Sequence, residues 1–204
     1  MTFYTYFESP IGLLLLTSNG EALTGLYMSA HKHGPERGAD WQQVDLVNAA
    51  PGGSLRENVD NMALFVKTKA QLLAYFDGTL TEFHLPLSVR GTKFQKQVWE
   101  ELQKIPYGST LSYKELALRV GNPQGVRAVG LANGRNPISI IVPCHRVIGA
   151  NGKLTGYGGG LPRKEALLML ESSVLVKRSG SFVSQRFAGG SSGDALVQEG
   201  GGET

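Results

Sequence analysis

The chain has 204 residues, 41% of them hydrophobic, a net charge of +3 and a single cysteine, which is material for one large or two small domains with a real core. One cysteine excludes an internal disulfide, and with four scattered histidines (31, 33, 84 and 145) it offers no metal-ligand spacing, so neither a structural zinc nor another cofactor is expected. No apolar run reaches transmembrane length, and Met1 leads straight into Thr2-Phe3-Tyr4 without a basic or apolar leader, so a cytoplasmic protein with no membrane partner is expected.

Phe3 to Phe7, Leu13 to Thr17 and Leu23 to Met28 are strand-like runs, separated by turn signals at Ser9-Pro10-Ile11-Gly12 and Asn19-Gly20. Residues 30–56 are polar and rich in Gly, Pro and His, and read as a long loop. Met62, Phe65, Leu72, Leu73 and Phe76 recur at helical spacing up to Asp77-Gly78, and Phe83 to Val89 reads as an extended exit. This half is a small antiparallel sheet with a helix, a scaffold without visible chemistry.

The second half is helical. Thr92 is a candidate N-cap, and Phe94, Val98, Leu102 and Ile105 line one helix face up to Pro106-Tyr107-Gly108. Ser112-Tyr113-Lys114-Glu115 is a capping box that opens a helix ending at Gly121. Asn122-Pro123 is expected to open the next at once, with Pro at the first helical position, through Val126, Val129 and Ala132 to Asn133-Gly134. Two helices so joined form a helix-turn-helix, whose second member lies on nucleic acid. A strand around Cys144 and a hairpin at Asn151-Gly152 suggest a wing. Pro162 begins a last helix through Leu167 and Leu170 to Glu171, and residues 172–204, rich in Gly and Ser, are expected to be mostly disordered.

Charge divides along the same line. Residues 1–90 carry 6 Lys/Arg against 9 Asp/Glu, whereas 91–171 carry 11 against 5. That asymmetry fits a polyanion-binding second half, and equally a basic face balancing an acidic neighbour.

The chemistry centres on Ile140-Ile141-Val142-Pro143-Cys144-His145-Arg146-Val147-Ile148. A thiol stands beside an imidazole and a guanidinium, both able to lower a thiol pKa, and the thiolate is the nucleophilic form. Pro143 forces a break or bend. Adjacent side chains on a strand point to opposite faces, so a thiol–imidazole relay runs more easily through one water. Glu171 is a candidate to hold the imidazole tautomer, although spacing alone leaves it a solvated helix-end residue. The second helix sets Gly125, Ala128, Gly130 and Ala132 around Arg127, a pattern that serves close approach to a nucleic-acid backbone or helix packing equally well. Gly156-Tyr157-Gly158-Gly159-Gly160 is a flexible loop with one aromatic.

Taken together, Val142-Pro143-Cys144-His145-Arg146-Val147, Asn136-Pro137, Arg127-Ala128-Val129-Gly130 and Gly156-Tyr157-Gly158-Gly159-Gly160 closely resemble the O6-alkylguanine-DNA alkyltransferases, the methylated-DNA–protein-cysteine methyltransferases, bacterial type. The resemblance is tight over about 90–171 and looser over 1–89. It implies an α/β (α+β) fold: an RNase H-like scaffold domain over 1–89, a winged helix-turn-helix domain over 90–171, and a tail over 172–204. It also implies a monomer free in solution, with cooperativity on DNA left open, that binds the minor groove of double-stranded DNA. The damaged base is flipped out, and the alkyl group of O6-alkylguanine or O4-alkylthymine passes irreversibly to Cys144 in a single turnover.

By that likeness His145 is the base through water and Glu171 orients it. Asn136 holds the Cys144 turn. Tyr113 crowds the target phosphate and protonates the departing guanine. Arg127 fills the gap in the stack, with Ala128, Gly130 and Ala132 on the DNA-facing helix. Tyr157, Gly158, Ser139 and Val147 belong to the pocket, where the Gly158 amide meets O6. Two departures from the human member bear on substrate range: Gly158 replaces a serine, and Ser139 replaces a pocket-lining proline, which affects room for benzyl-type groups. The zinc ligands of the human N-terminal domain are missing. A lesion-binding module of the same scaffold would lack Cys144, a Cys-His hydrolase would need an oxyanion hole, and a winged-helix transcription factor would read the major groove, usually as a dimer.

Overall fold

The computed structural model describes residues 1–45 and 55–188. Strands β1 (Thr2–Ser9), β2 (Gly12–Ser18) and β3 (Leu23–Met28) form an antiparallel meander. Its register places Phe7, Leu14 and Met28 in one cross-strand row and Thr5, Leu16 and Leu26 in the next, all buried. That row-by-row matching on one face is what pins a sheet's register. A short β4 (Trp41–Gln43) pairs parallel with β1, inside the stretch expected to be loop, so the sheet order is β3-β2-β1-β4 and the sheet is mixed. Three residues in a polar setting carry too little periodicity to reveal β4. Of that expected loop, residues 46–54 lie outside the described residues, and Leu55 and Arg56 already belong to the helix that follows.

Helix α1 (Leu55–Phe76) contributes Phe65, Leu72 and Tyr75 to the core. Helix α2 (Lys93–Gln103) opens on a complete Thr92–Gln95 capping box and buries Val98, Trp99 and Leu102. Strand β5 (Leu111–Ser112) leads into α3 (Tyr113–Arg119), whose Ser112–Glu115 capping box forms as expected and whose end is turned by Gly121 at φ +71°. Helix α4 is Val126–Gly134. A 3-10 turn over Cys144–Arg146 precedes β6 (Val147–Ile148), which pairs parallel with β5. Helix α5 is Leu161–Ala188. One buried cluster runs from Phe3 to Leu167, so the core is continuous across residues 89 and 90.

The outer edge of β3 is covered twice. The Leu23 amide donates to the Pro86 carbonyl and the Ser88 amide to Leu23, so Phe83–Val89 is extended but bridges the sheet only at Leu87. Further along, the Leu26 amide donates to Pro137 at 2.9 Å, and the Ser139 amide returns a bond to Leu26 at 3.1 Å. An exposed strand edge is thereby converted into a mount for the segment leading to Cys144.

Four local expectations are corrected. Asn122–Gly125 form a turn, closed by the Gly125 amide on the Asn122 carbonyl, and α4 starts at Val126 and not at Pro123. Ile140–Cys144 is not a strand: Ile140 is left-handed (φ +71°), and the chain coils into the 3-10 turn. The wing has no strand pair at Asn151-Gly152; a Gly149–Lys153 bond closes a loop. Finally, the helix does not stop at Glu171, so the tail expected from 172 is helical to Ala188, while 189–204 lies outside the described residues.

The extension has a packing reason. Val174 is buried against Gly78, Leu175 lies against Gly108, and Arg178 donates to the Gly78 and Thr79 carbonyls. Gly78, at φ +75°, has no room for a side chain beside Val174. Val174→Ala is expected to lower unfolding free energy by about 1–2 kcal/mol, read from urea denaturation; an unchanged midpoint would show that this turn of α5 does not dock.

Candidate active site

Cys144 is buried, at 3% exposure, at the first position of the 3-10 turn. Its position follows from the loop before it. The buried Asn136 side chain donates to Val142 O at 2.7 Å and to Ile138 O at 3.4 Å, and accepts from the Ile138 amide at 3.0 Å. With the Val142 amide bonded to Ile138 O and the Ser139 amide to Leu26, this network holds Ile140 in a left-handed conformation that costs a β-branched residue energy. Asn133, which the sequence reading did not single out, donates to the Cys144 carbonyl at 3.4 Å.

The expected lowering of the thiol pKa by both sequence neighbours does not occur. Burial pushes the Cys144 thiol up, against hydrogen bonding from Asn136 and Ser139 and the charge of Lys164. Arg146 is engaged elsewhere: Nη1 donates to Ile105 O, Nε and Nη2 grip Glu171, and the guanidinium stacks on Tyr107. The Cys144 side chain therefore rests as a neutral thiol.

Glu171 is fully buried in the middle of α5. Its Oε1 accepts from Tyr75 (2.7 Å), His145 Nε2 (2.8 Å) and Arg146 Nη2 (2.9 Å), and its Oε2 accepts from the Gly108 amide and Arg146 Nε (both 2.9 Å). Burial raises its pKa, but the His145 bond and the Arg146 charge outweigh that and hold the carboxyl at about 2. An ionised carboxylate accepts and never donates, so His145 Nε2 carries the proton and Nδ1 the lone pair. Burial, opposed by Glu171, lowers the His145 pKa and keeps the ring neutral. That basic Nδ1 is buried without a protein partner.

Lys164, missed by the sequence reading, is fully buried and donates to the carbonyls of Val147 and Thr155, and burial lowers its pKa to about 8. Its ammonium lies 5.8 Å from the Tyr113 ring. The Tyr113 hydroxyl donates to Thr155 O (3.1 Å) or Gly156 O (3.2 Å), and burial raises its pKa, so it stays protonated. Gly130 faces that ring, with space there for little more than a methyl group. Arg127 and Ala128 are exposed on α4, whereas Ala132 is buried, its carbonyl accepting from Trp99, so Ala132 packs into the core and does not face outward.

Ser139 is fully buried beside the thiol and the Tyr157 hydroxyl, and Val147 is fully buried in β6. The Tyr157 hydroxyl has no protein partner, and burial pushes its pKa well up. Gly158 is half-buried beneath His31.

A buried thiol thus stands next in the chain to an imidazole paired with a buried carboxylate, beside a helix-turn-helix, the layout of a DNA-binding protein with a cysteine enclosed at its centre. Residues 93–173 match the family model for the 6-O-methylguanine DNA methyltransferase DNA binding domain, and residues 2–89 that for its ribonuclease-like domain. Methylated-DNA–protein-cysteine methyltransferases from Mycolicibacterium paratuberculosis and Methanosarcina acetivorans are 50% and 48% identical, over 82% and 84% of this chain and 91% and 99% of theirs. The crystal structure of Mycobacterium tuberculosis OGT in complex with DNA superposes with a TM-score of 0.73 at 50% identity, over 84% of this chain and 94% of that one. The chain belongs to the methylated-DNA–protein-cysteine methyltransferase family.

Glu171→Gln keeps the shape but leaves Arg146 without its counter-charge, at an expected cost of about 3 kcal/mol at neutral pH. The folded carboxyl sits below its ordinary value of 4.5, so its stabilisation is present above that pH and is lost as pH falls towards 2. Denaturant titrations should show the gap between wild type and variant closing across that window. A gap independent of pH would contradict the ionised, paired carboxylate.

Proposed function

We propose that this chain repairs DNA by direct reversal, moving the alkyl group of O6-alkylguanine in double-stranded DNA to Cys144. The observation that carries the reading is the His145 Nδ1 lone pair. It is fixed by ionised Glu171 through Nε2 and has no protein partner, next in sequence to a thiol that needs a base. Through one bridging water, His145 takes the thiol proton. The sulfur attacks the alkyl carbon, the C–S bond forms as the C–O6 bond breaks, and the electron pair stays with the guanine. Tyr113, protonated and at the mouth of the Thr155–Gly156 segment, supplies the proton the guanine regains. A thioether has no route back to the thiol here, so each molecule acts once, and O4-alkylthymine is accepted by the same chemistry.

Binding follows from α3 and α4. Exposed Arg127 and Ala128, with Gly130 behind them, offer a smooth face and one long cation that takes the place of an extruded base in the minor groove. The mycobacterial OGT that resembles this chain was crystallised in complex with DNA, which supports DNA as the partner. Asn136 positions the Cys144 turn, and Tyr157, Ser139 and the Gly158 amide line the pocket. The working unit is the pair of segments 1–89 and 90–171 together with the docked continuation of α5 through Arg178, with the first segment as scaffold.

Cys144→Ala should abolish transfer while DNA binding persists, because phosphate contacts made elsewhere supply most of the affinity. Mass spectrometry after incubation with O6-methylguanine DNA should show one methyl on Cys144 of the wild type, with stoichiometric kinetics. Transfer surviving in the Ala variant would sink the mechanism. Arg127→Ala should slow repair of duplex DNA far more than transfer from free O6-benzylguanine, which needs no flipping. Tyr113→Phe should slow both, by about 100-fold if a full general acid is lost. Equal slowing of both substrates by Arg127→Ala would reassign Arg127 to the fold.

A further inference from the structure

We propose that His31, carried by the N-terminal half, forms the outer wall of the alkyl pocket and limits the size of the group that Cys144 accepts; this rests on the alkyl-transfer reading above. Ser139, beside the thiol, has His31 Nε2 at 3.5 Å from its hydroxyl. The same edge of the imidazole lies over Gly158: a Cβ added there would fall 2.3 Å from His31 Nε2. The space that a side chain at 158 would take is therefore filled from across the domain boundary by a ring.

The ring is held firmly. The His31 amide donates to Met28 O, the Lys32 amide donates to Gly158 O at 2.9 Å, and the ring packs edge-on against Tyr27 at 5.6 Å. Ala30, at φ +58°, makes the sharp turn that delivers it. Arg163 of α5 fastens the same loop, donating to the Ser29 carbonyl and hydroxyl, to Ile11 O and to Gly159 O. A small acceptor group beside Ser139 leaves this arrangement intact, whereas a benzyl-sized group meets the imidazole.

The test is single-turnover transfer by the full chain from one duplex carrying O6-methylguanine or O6-benzylguanine, read as the ratio of benzyl to methyl rate constants. Each variant is its own control, because misfolding depresses both rates. His31→Ala should raise the ratio about tenfold or more, the scale on which pockets discriminate by size, and His31→Trp should lower it. Gly158→Ala forces the ring aside, so its effect on the ratio should vanish in the His31→Ala background. A ratio unchanged or reduced in His31→Ala, or the same Gly158→Ala effect in both backgrounds, overturns the wall. A wild-type chain that gains no methyl on Cys144 overturns the alkyl-transfer reading itself, and the wall with it.

Discussion

Much of this molecule is organised around a negative charge that water never reaches. A buried carboxylate costs several kcal/mol unless its lone pairs are matched, and Glu171 collects four partners from three places: Tyr75 on α1, Gly108 after α2, and His145 and Arg146 in the 3-10 turn. These three stretches are far apart in the chain, so satisfying one carboxylate fixes the mutual placement of α1, α5 and the Cys144 turn. Arg146 passes the constraint outward to Ile105 and Tyr107. The tautomer of His145 is a by-product of the same arrangement. What orders the fold also sets the proton.

A second constraint acts on the backbone. Ile140 is held left-handed by bonds that come partly from its own loop, through Asn136, and partly from the edge of β3. The N-terminal sheet is thus more than a lid on a hydrophobic core. It contributes main-chain hydrogen bonds to the segment that carries Cys144, and it sets His31 against Ser139.

What was legible in the sequence follows from the range of the signal. Strands β1 to β3, the Thr92 N-cap, the Ser112–Glu115 capping box, the Gly121 stop and the Pro143 break rest on neighbours within a few residues, and local chemistry decides them. The family resemblance is carried by contiguous motifs, and it named Cys144, His145, Asn136 and Glu171 together. Tyr75, Gly108, Lys164 and His31 were not visible, because their roles arise from contacts between residues far apart in the chain. The apolar run at Ile140–Val142 reads as a strand by composition, and the Asn136 network overrides it. Past Glu171 the polar composition hides Val174, whose one buried contact with Gly78 helps carry the helix on.

The burial of Cys144 has a consequence for the protein's life before it meets a lesion. A thiol that is protonated and 3% exposed is poorly reactive towards peroxide and other dissolved oxidants, since these attack accessible thiolate. The same desolvation that raises the thiol pKa also shields the sulfur from oxidation. Under the mechanism proposed above, chemical quiescence and readiness for attack are then separate properties: the first belongs to burial of the sulfur, the second to the lone pair on the neighbouring imidazole.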